Sequence, residues 1–143
     1  MEEARRYHWP WPDIPAEALL QKARNVAGRA YAPYSNFKVG AALLTADGSI
    51  ALGCNVENSS FGLTICAERN AVASMVAIAR HDPVAIAVVG GRSGTPCPPC
   101  GACRQVLAEF NPYMLVVLES PNKVIVMSVN DLLPLSFSLK ERR

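Results

Sequence analysis

Cysteine spacing is the feature that most restricts this chain. Cys97, Cys100 and Cys103 lie within seven residues, and Cys66 precedes them. A hydrophobic core does not concentrate cysteines in this way, whereas metal sites do. The N-terminal sequence shows no secretory succession of charged, apolar and small residues, so we expect a cytoplasmic protein with reduced thiols. These cysteines therefore predict metal ligands, and the remaining Cys54 is expected to be a small buried apolar residue.

The composition is that of one soluble globular domain. The chain has 143 residues, of which 50% are hydrophobic and 18% are charged. The net charge of +2 comes from scattered basic residues, apart from Arg5-Arg6 and residues 140–143, which we interpret as solvated ends. A nucleic-acid-binding domain would concentrate basic residues on one face, and a membrane span would need about 20 apolar residues in succession. We therefore expect neither a nucleic-acid partner nor a membrane.

The periodicity of apolar residues predicts alternating helices and strands in one domain over residues 15–143. Residues 1–14, which include Trp9 and Trp11, have no helical period and are predicted to form an N-terminal arm. Because strands joined through helices favour a sheet covered on both faces, we predict a three-layer α/β/α fold around a five-stranded mixed sheet. The predicted helices are 15–30, 66–78, 103–110 and 131–133, and the predicted strands are 37–46, 50–56, 84–89, 115–118 and 124–127.

Two predicted helices begin at cysteines, one at Cys66 and one at Cys100 and Cys103. Catalytic zinc typically takes three protein ligands and leaves its fourth position to water. The positive end of a helix favours a thiolate over a thiol, so two helix N-termini would stabilise three anionic ligands. Two prolines keep Cys97 in an extended segment. We therefore predict a Zn²⁺ site formed by Cys66, Cys100 and Cys103.

Glu68 follows Cys66 by two residues and is the predicted catalytic residue. A carboxylate at this distance can take a proton from water at the metal and pass it to the substrate without being a ligand. One alternative is a structural zinc site, which would prefer four ligands and for which Cys97 could be the fourth. A redox dithiol is a weaker alternative, because no Cys-x-x-Cys here follows a strand in a βαβ setting.

Four motifs within residues 16–139 resemble those of a known family. They are FKVGAA at 37–42, NVEN at 55–58, TICAERNA at 64–71 and PCGACRQV at 99–106. In this order they resemble the small cytidine deaminases, zinc enzymes of pyrimidine salvage that hydrolyse cytidine and deoxycytidine to uridine and deoxyuridine with release of ammonia. The resemblance is to the all-cysteine, homotetrameric branch, since Cys66 stands where the dimeric branch has histidine. It implies a cytidine-deaminase-like fold.

The same resemblance implies roles for individual residues. Phe37 would pack against the base, Asn55 and Glu57 would bind the ribose 3′-hydroxyl, and the backbone of Ala67 would contact the pyrimidine edge. Arg69 would donate hydrogen bonds to the ligand sulfurs. It also implies a nucleoside site completed across subunits.

The residues implied across subunits are Phe61 and the C-terminal aromatic residue Phe137. Phe61 stands where many relatives have tyrosine, so a hydroxyl contact on the 5′ side of the substrate would be missing. The apolar segment 132–137 would suit an interface, although it could equally pack on its own core.

Physical arguments support some of these roles independently. A zinc ion bound by three thiolates carries a net negative charge. Arg69 and the positive ends of the two helices could compensate this charge. The alternative is that Arg69 faces solvent. Asn55 and Glu57 lie two residues apart in an extended segment and can act on one target, unless they form a solvated strand end. Phe37 alone would be interpreted as a core residue. His8 and His81 lie outside every motif.

Other functions remain alternatives at this point. Blasticidin S deaminases look similar around the zinc ligands, but the Asn55–Glu57 pair and Phe37 favour a plain nucleoside. Activity on a polynucleotide would need a basic groove and stacking platforms that the sequence lacks. A zinc-stabilised binding module would have no use for Glu68 beside an open metal position.

Overall fold

The computed structural model describes residues 7–140 and has the predicted order of elements. The first six residues of the predicted arm, the Arg5-Arg6 pair and residues 141–143 lie outside this range. One short 3₁₀ helix, Phe61–Leu63, was not predicted. The helices are α1 (Ala16–Ala27), α2 (Ala67–Ala77), α3 (Gly101–Phe110) and α4 (Val129–Leu132), and the strands are β1 (Val39–Thr45), β2 (Ile50–Cys54), β3 (Pro83–Gly90), β4 (Leu115–Ser120) and β5 (Lys123–Ser128).

The five strands form one mixed sheet in the order β2-β1-β3-β4-β5. Strand β1 is antiparallel to β2 and β3, β3 is parallel to β4, and β4 is antiparallel to β5. Two parallel neighbours need a crossover, and here the crossover runs from the end of β3 through α3. The mixed sheet is confirmed, and α3 therefore begins near the edge where β3 ends.

Both faces of the sheet are buried, which confirms the three-layer fold. Alternate residues of β1 enter two separate cores: Ala41 and Leu43 pack with α2 and α3, whereas Ala42 and Leu44 pack with α1. Burial on both faces explains why the strands read as continuous apolar runs. None of the helices between residues 7 and 140 has the length and apolar character needed to cross a membrane.

Residues 7–14 pack on the α1 face of the sheet. Tyr7, Trp9 and Trp11 are partly buried against the core that α1 covers. The indole N–H of Trp9 donates to the carbonyl oxygens of Trp11 (3.1 Å) and Ile14 (2.7 Å). The Tyr7 hydroxyl lies 3.4 Å from that of Ser128, at the end of β5. The division into an arm at 1–14 and a domain at 15–143 stays a prediction.

Gly53 allows α2 to lie directly on β2. A Cβ atom at Gly53 would overlap the carbonyl oxygen of Ala67 and the amide nitrogen of Ala71, both of them backbone atoms. Backbone cannot move aside as a flexible side chain can, so the helix would have to shift. The absence of a side chain at Gly53 therefore fixes the distance of α2, with Glu68 in its first turn, from the sheet.

We expect Gly53→Ala to lower the free energy of unfolding by about 1–3 kcal/mol, the usual range for an overpacked core. The measurement is urea denaturation followed by circular dichroism. Gly28→Ala is the control, because its Cβ would meet only the Asn25 carbonyl oxygen, at an ordinary 3.5 Å. Equal unfolding midpoints for the two variants would contradict the close packing of α2 on β2.

Candidate metal centre and active site

Three cysteine sulfurs converge on one point. The Sγ atoms of Cys66, Cys100 and Cys103 all lie within 4.8 Å of one another. Sulfurs at 2.3 Å from a tetrahedral zinc ion lie about 3.8 Å apart, so the group fits one such ion with little adjustment. Cys97 does not belong to the group. Within residues 7–140, these three cysteines are the one group of side chains found that could hold a metal ion. The three predicted ligands thus meet without the fourth that a closed structural site would prefer.

Helix N-termini supply the electrostatic environment of these sulfurs. Cys66 is the N-cap of α2 and Cys100 is the N-cap of α3, which begins two residues earlier than predicted. Burial opposes ionisation of Cys100, but hydrogen bonds from the backbone N–H groups of Cys103 and Ala102 help to lower its pKa overall. Helix α3 therefore favours the thiolate that a metal requires.

Cys103 shows why the cluster needs a cation. Its side chain is completely buried. Burial raises the pKa of this thiol, and the negative charges of Glu68 and Cys66 raise it further. A divalent ion at the centre would reverse the balance, because a coordinating thiol loses its proton to the metal. The chemistry of the donor set therefore fits zinc.

Arg69 points toward the metal centre. Its Nη2 donates to the Sγ of Cys66 at 3.5 Å and to the carbonyl oxygen of Thr64 at 3.4 Å. The hydrogen bond to Cys66 is the main cause of the raised pKa of this guanidinium. A positive charge against a ligand sulfur offsets part of the negative charge of three thiolates.

Glu68 lies buried in the first turn of α2, with 5% of its surface exposed. Burial raises the pKa of its carboxyl, opposed by hydrogen bonds from its own backbone N–H and from the Cys103 thiol. A carboxyl with a raised pKa can both accept and return a proton near neutral pH. The geometry thus places a buried carboxyl with a raised pKa next to the sulfur cluster.

Phe37 is half exposed rather than a core residue. Its ring rests on Gly90 and Gly91 at the end of β3: a Cβ at Gly91 would lie 2.7 Å from its Cε2, and one at Gly90 would lie 3.1 Å from its Cε1. The Sγ of Cys97 approaches the same point, at 2.8 Å from the Cβ position of Gly90. The absence of side chains at the two glycines therefore leaves the space that the half-exposed Phe37 ring occupies.

Asn55 and Glu57 hold the segment that carries Phe37. The buried Asn55 amide accepts from the backbone N–H of Val39 at 2.8 Å and donates to the carbonyl oxygen of Phe37 at 2.9 Å. The partly exposed Glu57 carboxylate accepts from the hydroxyl and the N–H (3.1 Å) of Ser35. The Ser35 hydroxyl bond is the main cause of the lowered pKa of Glu57. Both side chains thus make contacts within the chain, which the sequence did not predict.

Phe61 and Phe137 lie on the surface. Phe61 is 74% exposed and meets the ring of Tyr34 edge to face, with ring centroids 5.9 Å apart. Phe61 and Tyr34, together with Glu57, line a cavity of about 370 Å³. Phe137 is 59% exposed, and its carbonyl oxygen accepts a hydrogen bond from Gln105 of α3 at 3.0 Å.

Sequence reasoning missed two side chains that support the site from within the quoted motifs. Arg104 donates to the carbonyl oxygens of Pro99 at 2.7 Å and Leu132 at 2.8 Å, which fixes the residue before ligand Cys100. Asn70 of α2 donates to the carbonyl oxygen of Cys54 at 2.8 Å. Polar residues on a helix are ordinarily interpreted as solvent-facing, so only their position beside the ligands could have singled them out.

Three sulfur ligands leave one position of a tetrahedral zinc ion for water, and a buried carboxyl lies beside them. This is the arrangement of a zinc-dependent hydrolytic enzyme. The family model for the cytidine and deoxycytidylate deaminase zinc-binding region matches residues 14–119. The chain belongs to this deaminase family, as its sequence motifs predicted.

Individual relatives agree with this assignment. A cytidine deaminase of Halalkalibacterium halodurans is 45% identical over 127 residues, which cover 87% of this chain and 96% of the relative. The crystal structure of cytidine deaminase from Burkholderia pseudomallei is 51% identical with a TM-score of 0.81, covering 87% of this chain and 100% of that one. A blasticidin-S deaminase of Bacillus cereus is 30% identical over 107 residues, covering 70% of this chain and 76% of the relative.

Proposed function

We propose that this protein hydrolyses the exocyclic amino group of cytidine and deoxycytidine, giving uridine or deoxyuridine and ammonia. The observation that carries the proposal is the buried Glu68 carboxyl beside three sulfurs that leave one zinc position open. Relatives with 45% and 51% identity that are named cytidine deaminases support the choice of substrate. The reaction fits a role in pyrimidine salvage.

Glu68 carries the protons of the reaction. When bound at the three cysteines, zinc supplies a Lewis acid that makes a water molecule a strong nucleophile at neutral pH. Glu68 takes a proton from this water as its oxygen bonds to C4 of the cytosine, and gives it to a ring nitrogen. A second proton passes from the new C4 hydroxyl through Glu68 to the amino group, the bond between C4 and the amino nitrogen breaks, and ammonia leaves as the C4 carbonyl forms. The raised pKa of Glu68 suits both directions of transfer.

The remaining predicted residues would bind the nucleoside. We assign the exposed face of Phe37 to the base and the backbone of Ala67, the first residue of α2, to the pyrimidine edge, because N–H groups at a helix start have no partner within the helix. Asn55 and Glu57 would bind the ribose 3′-hydroxyl. The Asn55 Nδ2 has a second hydrogen beyond the one given to Phe37, and the carboxylate oxygens of Glu57 keep further lone pairs.

A homotetramer with shared sites is proposed for the assembly. Phe61, Leu63 and Phe137 are apolar and more than half exposed, as residues that meet a second subunit would be. Sedimentation equilibrium measures the mass directly: four times the chain mass of 15.4 kDa is expected, and a monomer that turns over cytidine would contradict shared sites.

A cytoplasmic location is proposed as well, because it would keep the three thiols reduced.

The direct test of the proposed function is incubation of cytidine with purified, zinc-loaded protein. We expect the ultraviolet absorbance to change as uridine forms, with ammonia released in equal amount. Parallel incubations contain blasticidin S, because one relative is a deaminase of that name, and a single-stranded oligonucleotide containing cytosine. Turnover of blasticidin S without turnover of cytidine would replace the proposed substrate, and turnover of neither would contradict the proposal.

A further inference from the structure

The loop of residues 91–99, which contains two glycines, joins the two halves of the proposed active site. Strand β3 ends at Gly90, where the ring of Phe37 rests, and the chain then runs to ligand Cys100 at the start of α3. Gly91 and Gly94 within this loop have positive φ angles of 64° and 81°, which favour glycine. Because glycine gives the backbone conformational freedom, residues 91–94 are the part of the loop that contacts from outside must hold in one conformation.

An ion pair between Arg24 and Glu119 supplies such contacts. Arg24 lies on α1 and Glu119 near the end of β4, and the two side chains form a salt bridge with 28% and 16% of their surface exposed. Partial burial makes this pair less screened than an ordinary surface pair. The structure therefore connects α1 to β4 through two charges beside the loop.

Both partners of the pair also bind the loop backbone. Arg24 Nη1 donates to the carbonyl oxygen of Gly91 at 3.1 Å. Glu119 Oε2 accepts from the N–H of Gly94 at 2.7 Å and from the Ser93 hydroxyl at 3.5 Å. The loop is thus held at two points, the first of which is the glycine under Phe37.

We propose that Arg24 and Glu119 are positioning residues for substrate binding: they hold Gly91 and residues 93–94 in place beside Phe37, and so fix the aromatic surface for the base. The inference rests on the proposed function. It concerns binding rather than the metal, because separate contacts hold the ligands: Arg104 fixes the carbonyl oxygen of Pro99, and α3 itself carries Cys103.

The test compares Arg24→Met and Glu119→Gln with the wild-type protein. We expect KM for cytidine to rise about tenfold, which corresponds to about 1.4 kcal/mol, because a charge-assisted hydrogen bond to the loop is lost. The kcat and the zinc content per chain should stay within about twofold of wild type. Lys22→Met is the matched control, because Lys22 is an exposed cation on the same helix.

Arg24→Lys gives a graded result. A single ammonium can keep the ion pair with Glu119 but lacks the planar fork that reaches both Glu119 and the Gly91 carbonyl oxygen. We therefore expect its KM to lie between those of the wild type and Arg24→Met. A variant that is merely less stable would lose active protein and lower the apparent kcat instead.

Hydrogen exchange separates the failure of this inference from the failure of the proposed function. Exchange of the Gly94 amide should be faster in Glu119→Gln than in wild type, whether or not cytidine is the substrate. An active wild type whose Arg24→Met variant has the KM of Lys22→Met would overturn the inference. So would joint loss of kcat and zinc in Arg24→Met. An inactive wild type would instead contradict the proposed function.

Discussion

Replacing Glu68 with Gln is expected to lower kcat for cytidine by about 10²–10⁴, the contribution typical of a general acid–base group, while zinc stays bound at one ion per chain. The amide keeps the size of the carboxyl but cannot accept and return a proton. The measurement pairs the absorbance assay with zinc analysis of the same sample.

The control for this variant is Glu109→Gln, which neutralises a carboxylate whose side chain is 49% exposed on α3. Its kcat should equal that of the wild type. Loss of zinc from Glu68→Gln would mean that the carboxylate is a ligand, and the proton-carrier role would fail. Retained turnover with retained zinc would also exclude that role.

Replacing Cys100 with Ala is expected to remove zinc and with it all measurable deamination. The cluster contains three sulfurs, so two remain, too few for a zinc site with three protein ligands. Cys97→Ala is the matched control three residues earlier. Its thiol lies outside the cluster of three sulfurs, and burial raises its pKa to about 11.

Zinc content decides between the open and closed forms of the site. One ion per chain in Cys97→Ala and almost none in Cys100→Ala would support three protein ligands. Loss of zinc from Cys97→Ala would make Cys97 the fourth ligand of a closed structural site, and the proposed catalytic role of the metal would fall.

The sequence predicted the parts of this molecule that depend on short-range pattern. The nine main elements follow from the spacing of apolar residues, whereas the convergence of Cys66 with Cys100 and Cys103 was expected from the ligand number of catalytic zinc and from the family motifs. Periodicity is a local property of the sequence, so it can be recognised without knowing which elements contact one another in the fold. The order of helices and strands was predictable for this reason.

Contacts between distant residues were not predictable in the same way. The amide of Asn55 holds the backbone at Phe37 and Val39, and Arg24 meets Glu119 across 95 positions of sequence. Such pairs depend on which strands become neighbours in the sheet, which apolar spacing does not specify. The short helix Phe61–Leu63 was missed because a single 3₁₀ turn has too few residues for a period.

The position of the two tryptophans determines what an optical probe of this protein can report. Trp9 and Trp11 are its two tryptophans, and both pack on the α1 face of the sheet, whereas α2 and α3 bring the metal ligands to the opposite face. Intrinsic tryptophan fluorescence is therefore a signal of residues 7–14 docking on the sheet. A fluorescence transition and the release of zinc would follow two different events in the same molecule.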